Sequence, residues 1–368
     1  MGNQTYYTLG NSSLTVSRLA FGVMTFGSYE GVGTADWGAS EQESRRMFDV
    51  YRDWGGNFFD TAPSYTFGQS EQLLGKFIKD AGCRDEVVVS TKFSHPATAN
   101  GPTGGGAGRN SAIRSVEQSL KRLDTDYIDL LFLHTWDRRT PPEELALTLN
   151  DLVRSGKVRY IGVSNMPAWY VARLQSVLEW RGLERLCAFQ FEYSLVSREL
   201  ENEYTAMCLD LGISVTGFSA VAAGFLTGKY KRGENLANAT GRLASMKDVP
   251  VPQVQKFSDR NWAIHDVVQD VANQLGKTMA QVAINWAAHR PAIGSIICGA
   301  SKESQLVANL QALDFEIPNE LMGRLTEVSE VPDLDKPLPY SITSRETNVH
   351  AINAGLDVRE KPEGYFSF

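Results

Sequence analysis

Short apolar runs alternate with longer amphipathic segments along most of the chain. Each run is followed by turn-forming residues and is too short for a buried helix, so we interpret the runs as strands. The predicted strands are Leu19–Phe21, Asn57–Asp60, Val87–Lys92, Ile128–His134, Tyr160–Ser164, Ala188–Glu192, Ile213–Phe218 and Ser295–Cys298.

The segments between these strands have the periodicity of amphipathic helices. Examples are SEQESRRMFDVYRDWG, RNSAIRSVEQSLKRL, PPEELALTLNDLVRSGK and SRELENEYTAMCLDLG. Gly55, Gly156 and Gly212 each follow such a segment, at the position where a left-handed residue commonly ends a helix. Pro141 and Pro142 suit the start of the helix that follows them.

The eight strand–helix alternations favour a (β/α)8 TIM barrel, an α/β fold. A doubly wound sheet would alternate in a similar way, but it should carry G-x-G-x-x-G after its first strand. The first strand runs instead into GVMTFGSYEGVG, and the glycine-rich GPTGGGAGRN follows the third strand without that spacing. The sequence therefore predicts the barrel.

Three segments lie outside the repeat. Residues 6–18 predict a short β-hairpin that plugs the bottom of the barrel. Ala220–Asn261, after the seventh strand, is long for a barrel connection, so we expect it to be functional or mobile. Residues 332–368 form a polar tail without clear periodicity. We expect a single domain over residues 1–368, with its core at about 14–330.

Composition and charge argue against several classes of protein. The 368 residues are 42% hydrophobic, enough for a large core, and acidic and basic residues are interspersed to give a net charge of −7. A negative surface opposes nucleic acid binding, and no run reaches the roughly 18 apolar residues of a membrane span. MGNQTYYTLGNSS lacks the apolar centre of a signal peptide, so we predict a cytoplasmic protein.

The four cysteines, Cys83, Cys187, Cys208 and Cys298, show no CxxC spacing. We therefore expect neither a zinc cluster nor a disulfide framework, and we predict no metal site. Cys187 and Cys298 lie in apolar runs and should pack as small hydrophobic side chains.

The candidate chemistry lies at the strand ends, because the active site of a barrel lies at the carboxyl ends of its strands. Asp60 ends the second strand and Tyr65 follows it, while Lys92 and His134 end the third and fourth strands. Each has an ordinary interpretation by itself, such as a cap, a snorkelling lysine or a core histidine. Their occurrence at three successive strand ends favours one shared site.

These residue types suit acid–base chemistry at a carbonyl group. A phenol has a pKa of about 10, and a neighbouring ammonium group stabilises the phenolate and lowers that pKa. A carboxylate keeps the lysine charged and oriented, and a histidine can donate a hydrogen bond to a substrate oxygen. Side chains supply no hydride, so a reduction requires a bound cofactor.

The chain resembles the aldo-keto reductase family from about Leu14 to Leu313. NFFDTAPSY is similar to the family segment that bears the aspartate and the tyrosine, and IICGASKESQLVANL is similar to the cofactor clamp. Further similar motifs are STK, LFLHTWD, GKVRYIGVSN, QFEYS and GFLTGKY. The resemblance is greatest to the aryl-alcohol-dehydrogenase-like and potassium-channel-β-like branches.

The resemblance implies that Tyr65 is the general acid in reduction and the base in oxidation. Lys92 and Asp60 would tune Tyr65, and His134 would orient the carbonyl. It also implies a nicotinamide dinucleotide, with NADPH preferred and NADH possible. The implied cofactor-binding residues are Gly22, Val23 and Asp60; Ser164, Asn165 and Gln190 at the carboxamide; Phe218 as the stacking residue; Ser219, Ala220, Val221, Ala222, Lys229 and Arg242 at the pyrophosphate and adenosine; and Gly299, Ser301, Lys302, Gln305 and Asn309 at the adenosine phosphate.

The chain departs from the family pattern in three places. Ser-Ala-Val-Ala follows Phe218 where Ser-Pro-Leu-Ala is common, so we expect a looser turn whose amides can still contact phosphate. Phe218 stands where tryptophan or tyrosine is common, and Ala308 where many members have an acid. Lys302 adds positive charge that favours NADPH, although it could equally be a solvated helix residue.

A small-molecule carbonyl or alcohol is the expected partner of the chain, as a monomer or a homo-oligomer. Aromatic side chains in the loops indicate a hydrophobic or ring-containing aldehyde or ketone, although they could also simply pack the loops together. The predicted pocket residues are Met24, Tyr29, Trp37, Phe93, His95 and Trp136.

Two other functions fit parts of the sequence. Channel β subunits resemble these reductases and act partly as regulatory partners, but the chain retains all four catalytic residue types. Lys92 could instead form a Schiff base in a lyase. A lyase would not need the sites at Ser164–Asn165, Gln190 and GASKESQ.

Overall fold

A computed structural model of the chain describes residues 5–28, 38–97, 101, 104–233, 243, 255–332 and 335. Tyr29, Trp37 and Arg242 lie outside these described residues, as do much of the predicted connection 220–261 and most of the tail after Pro332.

The described strands form a two-stranded sheet and a closed parallel barrel. The two-stranded sheet pairs β1 (Tyr6–Thr8) with β2 (Thr15–Ser17). The barrel strands are β3 (Leu19–Gly22), β4 (Phe58–Asp60), β5 (Val88–Phe93), β6 (Ile128–Leu133), β7 (Val158–Ser164), β8 (Leu186–Glu192), β9 (Ser214–Phe218) and β10 (Ile293–Gly299). Successive strands are neighbours, and β10 pairs with both β9 and β3, so the predicted (β/α)8 barrel is confirmed.

Three strands begin two residues earlier than the apolar pattern predicts. β7, β8 and β10 begin at Val158, Leu186 and Ile293, and the pairing of Val158 with Ile128 extends the ladder past the exposed Arg159. Among the added residues Val158, Leu186, Cys187 and Ile293 are apolar and buried, so the prediction placed the starts of these strands too late.

Within the described residues, one helix follows each of the strands β3 to β8, and two helices follow each of β9 and β10. They are α1 (Glu41–Asp53), α2 (Gln69–Ala81), α3 (Arg109–Leu123), α4 (Pro142–Arg154), α5 (Ala168–Trp180), α6 (Tyr204–Asp210), α7 (Asp259–Leu275), α8 (Met279–Ala288), α9 (Glu303–Leu310) and α10 (Asn319–Ser329). Gly55, Gly156 and Gly212 have φ of 97°, 77° and 64° just beyond helix ends, as predicted. Only glycine adopts this region without a steric cost.

The hairpin β1–β2 closes the bottom of the barrel. Leu9, Leu14 and Val16 pack with the interior side chains of the strands, among them Phe58 and Leu130. Asn11 donates its backbone amide to the carbonyl oxygen of Gly212, at 2.8 Å. The hairpin therefore fills the end of the barrel opposite the carboxyl ends of the strands, as the sequence predicts.

Clustering of contacts divides the chain into Met1–Val328 and Ser329–Phe368, and the first unit contains the barrel. No helix within the described ranges is both long and apolar enough to cross a membrane.

Candidate active site

A buried ion pair joins the ends of β4 and β5. Asp60 is 3% exposed and Lys92 has no exposed surface. Lys92 Nζ lies 2.6 Å from Asp60 Oδ2 and donates a second hydrogen bond to the carbonyl oxygen of Thr61, at 2.8 Å. Asp60 pairs with Ser90, so Lys92 stands two residues further towards the mouth on the same interior face.

The second carboxylate oxygen of Asp60 is also occupied. It accepts hydrogen bonds from Ser90 Oγ at 2.7 Å and from Gln190 Nε2 at 3.0 Å. Burial by itself would lower the pKa of Lys92, but the Asp60 carboxylate and the Tyr65 phenol outweigh burial and raise that pKa. Lys92 is therefore held as an ammonium group at neutral pH.

Tyr65 reaches this ammonium group from the loop after β4. Its backbone amide donates to the carbonyl oxygen of Ala62 at 3.1 Å, and it begins the short 3-10 turn Tyr65–Gly68. Lys92 Nζ lies 4.8 Å from the centroid of the Tyr65 ring. A positive charge in this position stabilises a phenolate.

The turn after Tyr65 has a strained backbone. Thr66 and Phe67 have φ of 44° and 55°, a left-handed conformation that β-branched and bulky residues rarely adopt. The buried Thr66 hydroxyl donates to the carbonyl oxygen of Phe26 at 2.7 Å. Such strain persists only where the surroundings enforce it, so this contact helps to hold Tyr65 beside Lys92.

His134 follows the last residue of β6 and faces Tyr65. The two ring centroids are 6.0 Å apart, with the planes at 85°. Burial, together with the charge of Lys92 and the neighbouring His95 ring, lowers the pKa of His134 to about 2. The ring is therefore neutral at pH 7. Its buried Nδ1 has no hydrogen-bond partner among the residues that the structure describes.

Three amide- or hydroxyl-bearing side chains lie directly beside these groups. Ser164 ends β7, and Asn165 follows it with a left-handed φ of 49°. Asn165 Nδ2 donates to Ser164 Oγ at 2.8 Å and to the carbonyl oxygen of His134 at 3.1 Å. Gln190 of β8 is bonded to Asp60. The structure brings these predicted residues to one mouth.

The chain turns sharply after β9, which ends at the half-buried Phe218. Ser219 has φ of 65°, and its carbonyl oxygen accepts the amide of Ala222 at 2.7 Å. Its hydroxyl accepts the amide of Ala223 at 3.1 Å. The carbonyl oxygen and the hydroxyl of Ser219 thus hold the turn closed, although it lacks the proline that is common there in the family. Within the turn lie Ala220, which is buried, and Val221, which is half-buried.

Lys229 folds back over this turn. Ala222, Ala223 and Gly224 have successive φ of 51°, 54° and 96°. A β-carbon built on Gly224 would lie 2.8 Å from Lys229 Nζ. Successive left-handed residues beside an ammonium group suit a phosphate, so the backbone and Lys229 together fit the predicted pyrophosphate position.

The predicted clamp lies where β10 meets β3. Gly299 pairs with Gly22, and the amide of Val23 donates to the carbonyl oxygen of Asp60 at 2.9 Å. Asn309 Nδ2 donates to the carbonyl oxygen of Gly299 at 3.2 Å. The clamp is thereby connected to the same strand end as the ion pair.

The start of α9 carries the remaining clamp residues. Gln305 Oε1 accepts from the amide and the hydroxyl of Ser301, at 3.0 and 3.2 Å. Lys302 directly precedes the helix. Glu43 of α1 accepts the amide of Glu303 at 2.6 Å, so a carboxylate lies at this helix start. No local sequence pattern identifies Glu43, because the contact joins residues 260 positions apart.

Residues 18–330, which include the described residues of this mouth, match the family model described as Aldo/keto reductase family. The chain belongs to this family. It is 35% identical over 84% of its length to a probable voltage-gated potassium channel subunit beta of Oryza sativa subsp. japonica, and covers 91% of that protein. It is 34% identical over 91% of its length to the uncharacterized oxidoreductase YrpG of Bacillus subtilis (strain 168), and covers 99% of it. It is 35% identical over 83% of its length to the versiconal hemiacetal acetate reductase of Aspergillus parasiticus, and covers 92% of it.

Family membership and the oxidoreductases among its relatives support an oxidoreductase function for the chain. The family generally uses NAD(P)H and acts on small-molecule carbonyl substrates.

The predicted pocket residues of this aldo/keto reductase differ in position. His95 is exposed, and its ring lies 4.9 Å from that of His134. Trp136 and Met24 are half-buried. Phe93 has no exposed surface and packs in the core under the helices, on the face of β5 opposite Lys92. We therefore leave Phe93 out of the proposed pocket.

The cysteines of this aldo/keto reductase are all buried and free, and Cys187 and Cys298 pack in hydrophobic clusters as predicted. Over the described ranges, no group of three or more histidine, cysteine, aspartate or glutamate side chains is placed to hold a metal ion.

Proposed function

We propose that this aldo/keto reductase is an NADPH-dependent enzyme that reduces an aldehyde or ketone to the alcohol. The observation that carries the proposal is the cluster at the mouth, in which the buried Lys92 ammonium group lies between Asp60 and the Tyr65 phenol, and His134 faces that phenol. A charged lysine, an adjacent phenol and a neutral imidazole can together protonate and orient a carbonyl oxygen.

Tyr65 is the general acid in this proposal. As negative charge develops on the carbonyl oxygen, the phenol gives its proton to that oxygen, and Lys92 stabilises the phenolate left behind. Asp60 keeps Lys92 charged and in place through the 2.6 Å contact. In alcohol oxidation the same groups act in reverse, with Tyr65 as the base.

His134 orients the substrate in this proposal. With a pKa of about 2, the ring is neutral at pH 7 and carries a single N–H. This N–H donates a hydrogen bond to the carbonyl oxygen without competing with Tyr65 as an acid. Both hydrogen bonds go to the carbonyl oxygen, so they leave the carbonyl carbon free to accept the hydride.

A nicotinamide dinucleotide, when bound, supplies the hydride. Ser164, Asn165 and Gln190 bind its carboxamide in our proposal, because their polar groups lie beside the catalytic residues. Phe218, half-buried at the end of β9, stacks on its ring. The successive left-handed residues of the following turn and Lys229 hold the phosphates.

The adenosine end is assigned to the start of α9. Gly299, Ser301, Gln305 and Asn309 form one hydrogen-bonded group there. Lys302 adds a positive charge that favours the additional phosphate of NADPH over NADH.

A regulatory role is the second candidate, because the rice relative is described as a probable potassium channel subunit beta. That role requires cofactor binding but no turnover. It predicts that the protein binds NADPH and oxidises it no faster with carbonyl compounds than without them.

A Schiff-base lyase fits the site less well. A lyase needs a neutral lysine amine, whereas the Lys92 ammonium group donates to Asp60 and Thr61 and its pKa is raised. We expect borohydride with substrate to leave no adduct on Lys92.

The test is a screen of NADPH and NADH oxidation with aromatic aldehydes, sugars and polycyclic ketones, in parallel with calorimetric binding of both cofactors. The proposal expects carbonyl-dependent oxidation, faster with NADPH, for hydrophobic or ring-containing compounds. Binding without any turnover would favour the regulatory role, and faster turnover with NADH would overturn the cofactor assignment.

A further inference from the structure

An aromatic surface lies on the loop after β6 and the first turn of α5. We call Trp136, Trp169 and Tyr170 the aromatic platform. The ring of Trp136 lies 5.7 Å from that of Trp169, at 87°, and 6.0 Å from that of Tyr170. Trp169 is 55% exposed, whereas Tyr170 is buried. Contiguous exposed apolar surface, unlike a single exposed side chain, is a feature of ligand-binding and interaction sites.

The aromatic platform adjoins the catalytic histidine. Trp136 follows His134 by two residues, so their Cα atoms are at most about 7 Å apart. The amide of Trp136 donates to the carbonyl oxygen of Asn165 at 3.4 Å, and Asn165 Nδ2 donates to that of His134 at 3.1 Å. Trp169 is the second residue of the helix that follows β7. The platform therefore lies at the mouth of the barrel.

Arg138 adds a positive charge to this surface. Its guanidinium carbon lies 5.8 Å from the ring centroid of Trp136. Its backbone has φ of 62°, a strained left-handed conformation that is rare outside glycine and typical of functional positions. The side chain is exposed, and within the part of the chain that the structure describes it forms no salt bridge.

Asp137, the nearest acid in sequence, forms no salt bridge with Arg138 in the described part of the chain. Its carboxylate is instead hydrogen-bonded to the surrounding loop. Asp137 accepts the amides of Ala107, Arg139 and Thr140, at 2.9, 3.0 and 3.0 Å, and the hydroxyl of Thr140 at 2.7 Å. Although burial opposes it, this set of hydrogen bonds lowers the pKa of Asp137 to about 2. Asp137 thus shapes the loop and leaves the charge of Arg138 available.

We propose that the aromatic platform and Arg138 select aromatic aldehydes or ketones that carry an acidic group, such as a carboxylate, away from the reacting carbonyl. The substrate ring packs against Trp136 and Trp169, face to face with one and edge to face with the other, because these two rings are perpendicular, and its acidic group pairs with Arg138. Aromatic faces also attract the cation, so Arg138 is held near the position of the acidic group. This inference rests on the carbonyl reduction proposed above.

The test compares 6-formyl-2-naphthoate with its neutral methyl ester as substrates, with NADPH. We expect the wild-type protein to prefer the carboxylate in kcat/KM by about five-fold, the scale of one exposed ion pair. Arg138→Gln should remove this preference, and Arg138→Lys should keep part of it. No preference in the wild type, or an unchanged preference in Arg138→Gln, would overturn the inference.

Helix α5 supplies matched controls. Trp169 lies at its mouth end, while Trp180, 88% exposed, lies at its other end and is followed by Arg181. We expect Trp169→Ala to lower kcat/KM for 6-formyl-2-naphthoate and for its methyl ester by about five-fold relative to benzaldehyde. Trp180→Ala and Arg181→Gln should match the wild type. Equal effects of the two tryptophan substitutions would contradict the role of the platform.

Calorimetric binding of 2-naphthoate separates this inference from the proposed function. If naphthoate binds to the wild type but much more weakly to Arg138→Gln, the binding role of the aromatic platform and Arg138 is supported. This holds even if no aldehyde is reduced, and in that case only the proposed reduction fails. Aldehyde reduction with no naphthoate binding supports the reductase and overturns the surface.

Discussion

Lys92 has no exposed surface, yet its surroundings keep it charged. Removing an ammonium group from water is costly, and the cost is tolerated only where a counter-charge and hydrogen bonds replace the water. Asp60 and the carbonyl oxygen of Thr61 provide these contacts, at 2.6 and 2.8 Å. At this scale, the proposed function depends on one buried charge that is compensated but still faces the Tyr65 phenol.

Tyr65→Phe tests the role of that phenol. The substitution keeps the ring but removes the proton that the carbonyl oxygen receives, so we expect kcat to fall by about 100-fold or more. The dissociation constant for NADPH, measured by calorimetry, should stay nearly the same. Turnover like that of the wild type would remove Tyr65 from the mechanism.

The neutral state of His134 should be visible in the stability of the protein at acid pH. Its pKa falls from an ordinary 6.5 to about 2 on folding, so below pH 6.5 the unfolded chain binds a proton that the folded chain does not. Stability from this group is present above pH 6.5 and is lost as the pH falls, by about 1.4 kcal/mol per unit.

The measurement is urea unfolding of the wild type and of His134→Gln at pH 7 and at pH 4.5. Glutamine does not titrate, so the wild type should lose about 2–3 kcal/mol more between the two pH values than the variant does. Parallel losses in the two proteins would show that His134 titrates normally in the folded state.

Among the elements, the turn Tyr65–Gly68 shows how a strained backbone can position a side chain, here the proposed general acid Tyr65. Its two left-handed residues, Thr66 and Phe67, oppose the usual preference of their types. The hydrogen bond from Thr66 to the carbonyl oxygen of Phe26 fixes the turn against the loop after β3. The turn therefore depends on a tertiary contact rather than on its own propensity.

Substitutions at Thr66 separate the contribution of its hydrogen bond from the strain of its left-handed backbone. Thr66→Ala loses the hydrogen bond and keeps the unfavourable backbone, so we expect the free energy of unfolding to fall by about 1–2 kcal/mol. Thr66→Gly loses the same bond but relieves the backbone, and should be about 1 kcal/mol more stable than the alanine variant. Urea unfolding measures both, and a less stable glycine variant would show that the turn is not strained.

For the whole molecule, the barrel keeps the hairpin that fills its bottom and the proposed active site at opposite ends. The hairpin β1–β2 packs Leu9, Leu14 and Val16 into the bottom of the barrel, whereas Asp60, Lys92, Tyr65 and His134 lie at the carboxyl ends of the strands. Changes at the bottom should therefore alter stability much more than catalysis.

Leu9→Ala tests this separation. Leu9 is fully buried, and the cavity left by the substitution should lower the free energy of unfolding by about 2–5 kcal/mol. The control Tyr7→Ala changes a residue of the same hairpin that is 44% exposed, and should cost much less. Well below the unfolding transition, kcat/KM of Leu9→Ala should equal that of the wild type. A large loss of kcat/KM would show that the two ends are coupled.

The barrel could be predicted because each of its signals is local. Apolar runs identify strands, and glycines such as Gly55 and Gly156 identify helix ends, since a left-handed residue there is a property of the backbone itself. Strand ends are also local, so the order of elements places Asp60, Lys92 and His134 at one face. The starts of β7, β8 and β10 were predicted two residues too late, although Val158, Leu186 and Ile293 are apolar and buried, because pairing with a neighbouring strand decides where a strand begins.

Contacts between distant residues were decided only in the tertiary structure. The bond from Gln190 to Asp60 spans 130 positions, and that from Glu303 to Glu43 spans 260. The outward direction of Phe93 and the meeting of Trp136 with Trp169 likewise depend on strand register and helix placement. The sequence by itself determined which elements form and which residues end them, because those preferences act over a few neighbours. Which side chains meet was decided by packing, because a contact energy exists only once the barrel has closed.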